Sequence, residues 1–273
     1  MTRLRHGPAS AGQVRKKFGQ HFLAPAWADK VVQAIKPARD ERFLEIGPGP
    51  GALTLRLAPR VDRLTAIEID RELAAELQPR LPANVDLVIA DILDVDLAPY
   101  VVAGPLRVAG NLPYNISTPI LFKLLAAARQ LVDATVMLQL EVAERLAASP
   151  GTRDYGVLTI FTALQADVQR LLTLPPGAFR PPPKVHSAVV RLTFKPSPLP
   201  PGLEPAFEKM VRTMFMQRRK TLQNALRPFA EAAGHDSRTL LTAAGIDPVR
   251  RPETLAQDEL IRLVSVSSPK PKA

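Results

Sequence analysis

The chain has 273 residues, no cysteine, four histidines and a formal net charge of +10. Without cysteine there can be no disulfide, thiolate nucleophile or Cys-ligated zinc, and no two histidines stand at helical spacing, so a metal site is not expected. No apolar run approaches the ~18 residues of a membrane span and no signal peptide is evident, which points to a cytoplasmic protein with no membrane partner.

The N-terminal segment up to Ala28 carries Arg3, Arg5, Arg15, Lys16 and Lys17 without one acid. Residues 40–100 then reverse the balance, with six Arg or Lys against twelve Asp or Glu. Such segregation suggests a polyanionic partner, because each phosphate neutralised by a cation releases bound counterions; a solvated basic surface would look the same.

Four short apolar runs, "RFLEI", "RLTAIEI", "VDLVIA" and "PLRVAG", suit buried parallel strands. Helical stretches, "GALTLRLAPR" and "RELAAELQPRL", separate them, and this alternation predicts an α/β sheet covered on both faces. A helix from Ser117 to Gln130 is expected next, with Ser117 as its N-cap and Pro119 in the first turn. The strand "ATVMLQL" follows, then helices near 141–148 and 155–166, then the strands "ADVQRLLTL" and "HSAVVRLTF". "KPSPLPPGLEP" reads as a linker, and residues 203–265 are helical in pattern. The expectation is a Rossmann-like α/β domain with a basic N-terminal segment over residues 1–196, and a small helical domain over 197–273. The last residues, "SSPKPKA", read as a frayed tail.

The first strand runs into a glycine loop, "LEIGPGPGALT", in which Gly47, Gly49 and Gly51 allow a tight turn and close approach to a ligand. The spacing is G-x-G-x-G, one residue short of the dinucleotide fingerprint, and no Lys or Arg is present to grip a phosphate. Acids end three successive strands: Glu45, Glu68 and Asp91. Glu68 is placed to accept from two ribose hydroxyls and Asp91 from an adenine amine. An adenosine ligand without a pyrophosphate explains the set, most simply S-adenosylmethionine.

The fourth strand ends in "VAGNLPYNIS". Pro113 stiffens the chain, Tyr114 offers a flat face, and Asn111 with the carbonyl of Leu112 offers two acceptors for an amine. Methylation of an exocyclic base amine needs such a set. Its lone pair is delocalised into the ring, and two acceptors pulling on its hydrogens would localise the pair toward the methyl group.

"GNLPYNIS" resembles the N-L-P-Y motif of the ribosomal RNA adenine N6,N6-dimethyltransferases, whose loss confers kasugamycin resistance. "KKFGQHFL", "FLEIGPGPGALT", "AIEID", "IADIL", "FRPPPKVHSAVV" and "QRRKTLQNAL" stand in the family's order over nearly the whole chain. The resemblance implies that His21, Leu23, Gly47, Gly49, Glu68, Asp91 and Asn111 line the S-adenosylmethionine site. It implies that Asn111, Leu112, Pro113 and Tyr114 form the catalytic motif, and that Tyr114 and Phe179 sandwich the target adenine. His21 stands where the family usually has Asn; a histidine can still hydrogen-bond the methionine end of the cofactor.

"MVRTMFMQRRKTLQNAL" reads as one helix, with Met210, Met214, Phe215, Leu222 and Leu226 on an apolar face and Arg218, Arg219 and Lys220 on others. Given the family, these three cations are expected to contact RNA phosphates. The implied reaction places four methyl groups on two adjacent adenines near the 3′ end of small-subunit ribosomal RNA, within an immature subunit and by a monomer. Two alternatives stand beside it: a large-subunit dimethylase giving macrolide resistance, and a non-catalytic assembly factor.

Overall fold

The computed structural model describes residues 21–102 and 104–267. The basic residues Arg3, Arg5, Arg15, Lys16 and Lys17, and the tail beyond Ser267, lie outside the described residues.

A two-residue strand, β1 (Phe22–Leu23), leads into α1 (Pro25–Ile35), a helix missing from the elements read off the sequence. Pro25 suits its first turn, where a missing N–H leaves no intrahelical bond unmade, and Ala28, Val31, Val32 and Ile35 form its buried stripe. The chain continues through β2 (Arg42–Ile46), α2 (Thr54–Leu57), β3 (Arg63–Glu68), α3 (Arg71–Leu77), β4 (Val85–Ile89), α4 (Ala98–Val101) and β5 (Leu106–Asn111). Next come α5 (Ser117–Ala126), β6 (Leu131–Gln139), α6 (Leu140–Leu146), α7 (Val157–Gln165), β7 (Ala166–Leu174), β8 (Phe179–Arg180) and β9 (Ser187–Phe194). Four helices close the described chain: α8 (Glu204–Met216), α9 (Leu222–Ala232), α10 (Ser237–Ala243) and α11 (Gln257–Ser267).

Seven strands form one sheet in the order β4-β3-β2-β5-β6-β9-β7. Neighbours from β4 to β6 are parallel, while β9 runs antiparallel to both β6 and β7. From β2 the chain builds outward to β4, then returns to place β5 on the other side of β2. That reversal opens a crevice at the carboxyl ends of β2 and β5, where open α/β sheets bind their ligands. Both strands are nearly continuous in burial, because successive residues feed opposite cores: Phe43 and Ala109 one face, Leu44 and Val108 the other.

The C-terminal helices share a core that reaches back to Tyr155, Ile160 and Leu164. The Tyr155 hydroxyl donates to the Leu255 carbonyl at 2.7 Å. Leu199, inside the stretch read as a linker, is itself buried in this core, so packing does not break at the prolines.

Two local expectations are corrected. Ser117 is the first helical residue of α5 instead of its N-cap, and its hydroxyl donates back to the Tyr114 carbonyl at 3.2 Å. The single basic helix is two helices, with residues 217–221 turning between α8 and α9. The apolar residues hold 3.6-residue spacing only within each half, and Arg218, Arg219 and Lys220 fall in the turn.

Candidate active site

The crevice is lined by the glycine loop after β2, by the ends of β3, β4 and β5, and by His21 to Leu23. The crevice opens to solvent. The loop needs glycine for steric reasons. Gly49 has φ +52°, and a Cβ there would stand 3.1 Å from the Phe22 ring. Gly110 on β5 lets the strands close, since a Cβ there would meet the Ile46 carbonyl oxygen at 2.6 Å.

The two oxygens of Glu68 are held by main-chain donors: Gly49 N–H to Oε2 and Asp70 N–H to Oε1, each at 2.9 Å. A carboxylate offers about four acceptor positions, so these bonds aim the group while leaving lone pairs for hydroxyls. Burial raises its pKa, against the pull of the Asp70 and Gly49 amides. Asp91, two residues beyond β4, accepts from the Leu93 N–H at 2.9 Å, which fixes it at the cleft rim.

Glu45 is different. It is 1% exposed, its Oε2 has no hydrogen-bond partner, and the Thr54 hydroxyl opposite closes no bond of proper geometry. Burial pushes its pKa up to about 8, with Thr54 opposing and Glu68 adding to the rise.

Beyond β5 the N-L-P-Y segment assembles around one contact. Asn111 Nδ2 donates to the His21 carbonyl oxygen at 2.7 Å, leaving Oδ1 as the acceptor on the other side of the amide. The Leu112 side chain is buried and anchors the turn. Tyr114 is pinned by a 2.6 Å hydrogen bond between its hydroxyl and Ser187 Oγ, at the start of β9. Burial raises the phenol pKa against that bond. The His21 ring stacks on Tyr114, with centroids 5.3 Å apart and planes 28° from parallel, and its Nδ1 lies 2.8 Å from the Pro181 carbonyl oxygen.

The structure thus brings His21, Leu23, Gly47, Gly49, Glu68, Asp91, Asn111, Leu112, Pro113 and Tyr114 to one cleft. Phe179 is not with them. Its ring is fully buried, because β8 pairs with β1 in the register Leu23↔Phe179 and strand alternation sends both side chains into the core. In this conformation it cannot stack on a base, and the ring facing Tyr114 is His21. Arg218 is likewise committed elsewhere, to an ion pair with Glu253 and a 3.0 Å bond to the Thr152 carbonyl, while Arg219 and Lys220 are exposed. The Ser187 contact carried no signal in the sequence, since a serine 73 residues from Tyr114 becomes its partner only through the pairing of β6 with β9.

Sheet order, glycine loop and the row of acids along the strand ends define an α/β enzyme of the S-adenosylmethionine-dependent methyltransferase class. The family model for ribosomal RNA adenine dimethylase matches residues 11–267, and the chain belongs to that family. A Bordetella pertussis protein named ribosomal RNA small subunit methyltransferase A is 46% identical over 257 residues, 93% of this chain and 94% of the relative. One of the same name from Methylibium petroleiphilum is 48% identical over 222 residues, 80% of this chain and 85% of the relative. Among solved structures, a Plasmodium falciparum dimethyladenosine transferase is similar at 25% identity and TM-score 0.72, covering 89% of this chain and 96% of its own. The 23S rRNA methyltransferase ErmE is similar at 29% identity and TM-score 0.65, covering 90% and 98%.

Proposed function

We propose that the protein transfers four methyl groups from S-adenosylmethionine to the N6 amines of two adjacent adenines near the 3′ end of small-subunit ribosomal RNA. The cleft carries this reading: the carboxylates of Glu68 and Asp91 line it, with Glu45 held protonated beside them, and no Lys or Arg lines it among the described residues. An acidic, cation-free cleft suits a positively charged nucleoside and disfavours a pyrophosphate.

Bound S-adenosylmethionine supplies an electrophilic methyl group on a sulfonium. Glu68 and Asp91 would hold its nucleoside, and the main chain at Gly47 and Gly49 its reactive side. The chain's own work is then positioning. Tyr114 would carry the unstacked adenine, and its bond to Ser187 keeps the ring from rotating with its guest. Asn111 Oδ1 and the Leu112 carbonyl would accept the two N6 hydrogens, drawing the nitrogen lone pair out of conjugation and toward the methyl. No general base is needed, since the proton can leave after the methyl has arrived.

The exposed Arg219 and Lys220, with the C-terminal helices behind them, would meet RNA phosphates. The reading includes the cytoplasm as compartment, a monomer as working unit and the immature small subunit as the form in which the RNA is met. Among the described residues no helix is long and apolar enough to cross a membrane.

Small-subunit RNA is favoured over large-subunit RNA because the curated relatives at 46–48% identity bear the small-subunit name, against 29% for ErmE. A non-catalytic assembly factor is disfavoured because the glycine loop, Glu68 and N-L-P-Y are intact. The test is methyl transfer from labelled donor to unmodified small subunits and, in parallel, large subunits, followed by nucleoside analysis. Dimethyladenosine in small-subunit RNA alone is expected. Label in the large subunit, or none in either, would replace the reading.

A further inference from the structure

If Tyr114 is the platform for the target base, its face has to be open when the base arrives, and in this structure it is covered. The His21 imidazole lies at contact distance, 5.3 Å between centroids and 28° from parallel, in the offset stack that aromatic pairs favour. No slot for a base separates the two rings. The imidazole is held from its edge as well, with Nδ1 2.8 Å from the Pro181 carbonyl oxygen. A flat nitrogen heterocycle, stacked on Tyr114 and hydrogen-bonded at its rim, makes the contacts that a purine would make there.

We propose that His21 is a built-in stand-in for the base: its ring occupies the Tyr114 face while RNA is absent, and the entering purine displaces it. This rests on the assignment of Tyr114 as base platform. The displacement is local. What holds the main chain at this point is the His21 carbonyl, which accepts from Asn111 Nδ2 at 2.7 Å, and Leu23, whose strand pairs with Phe179. Rotation about the His21 side-chain bonds would free the ring from Tyr114 and Pro181 and leave the Asn111 bond in place, so the amine acceptor stays aimed while the platform opens. Phe179 offers no second face because it is fully buried. His21 is only part-buried, so its ring has solvent to swing into.

The stand-in also confers selectivity. A base gains the platform only by outcompeting an imidazole that is already stacked and hydrogen-bonded, which favours the large purine surface over a pyrimidine.

The test uses the full chain without methyl donor and an RNA hairpin whose loop adenines include one 2-aminopurine, a probe whose fluorescence reports its stacking. Binding is titrated for the wild type, His21→Ala, His21→Phe and Tyr114→Ala, with melting temperatures recorded for each. His21→Ala is expected to tighten binding of the probe about threefold to tenfold, the worth of one aromatic pair. His21→Phe, which keeps a ring on Tyr114, should not tighten it. In the Tyr114→Ala background the His21→Ala gain should vanish, since the two residues act through one contact. Weaker binding by His21→Ala with Tyr114 intact would make His21 a wall of the base site and overturn the proposal, as would unchanged binding. Tyr114→Ala binding the probe as the wild type does, with the same fluorescence, would remove the platform itself and the stand-in with it.

Discussion

Asn111 and His21, ninety positions apart, are joined by a 2.7 Å hydrogen bond from the Asn111 side-chain amide to the His21 carbonyl oxygen. The bond decides which end of the amide is nitrogen, and so which end can accept. Replacing Asn111 with Ala removes the acceptor but leaves Gly47, Glu68 and Asp91 in place. Transfer should fall by about 10²-fold or more, the scale of losing one preorganised polar group at a reacting centre. Calorimetry should find donor binding changed by only a small factor, and a variant with full activity would end the role assigned to this amide.

Tyr114 contributes a ring and a hydroxyl, which two substitutions separate. Tyr114→Phe loses only the bond to Ser187, so kcat/KM should drop by less than about tenfold, matching a net hydrogen-bond worth near 1 kcal/mol. Tyr114→Ala loses the stacking face, worth about 1–3 kcal/mol per base, and should fall further. Equal losses in the two variants would locate the function in the hydroxyl.

Phe179 distinguishes core from clamp. As a fully buried residue it should tolerate Leu, with a modest fall in melting temperature and most transfer retained, whereas Ala should cost about 3–5 kcal/mol of stability. If Phe179→Leu folded normally yet lost as much activity as Tyr114→Ala, the ring would have to leave the core during the reaction.

Glu45 makes stability depend on pH. Its folded pKa, about 8, lies above the ordinary glutamate value of 4.5, so between these pH values the folded chain keeps a proton that the unfolded chain releases. Stability from this group is complete below about 4.5 and declines as pH rises toward 8, with a slope approaching ~1.4 kcal/mol per pH unit. Glu45→Gln removes the titration. Its melting temperature relative to wild type should therefore climb from pH 5 to pH 8, and a constant difference would show that the carboxyl ionises normally.

The basic turn divides by partner. Arg218→Ala breaks the part-buried pair with Glu253 and an exposed bond to the Thr152 carbonyl, and should lower stability by about 1 kcal/mol. Arg219→Ala with Lys220→Ala should leave the melting temperature unchanged, weaken RNA binding and flatten its dependence on log salt by about one unit per cation. Binding that ignores the double substitution at every salt concentration would take these residues out of the RNA interface.

Much of this protein was legible along the chain, because the deciding interactions are local or repeat with the period of an element. Buried parallel strands show as apolar runs, and "LEIGPGPGALT" shows as a strand-to-loop transition because glycine adopts without strain the positive φ that the loop needs at three positions. The acids at successive strand ends could be lined up once the alternation of strand and helix implied a parallel sheet. The tertiary structure decided the partners. Residues 210–226 read as one helix along the chain, although their apolar spacing holds only within each half, and the packing of α8 against α9 revealed the turn that gives Arg218 to Glu253. The family resemblance set Phe179 against the target base, and the pairing of β8 with β1 turned its ring into the core. His21 came to rest on Tyr114 by the same pairing, since sequence fixes what a side chain can do and the meeting of distant strands fixes what it touches.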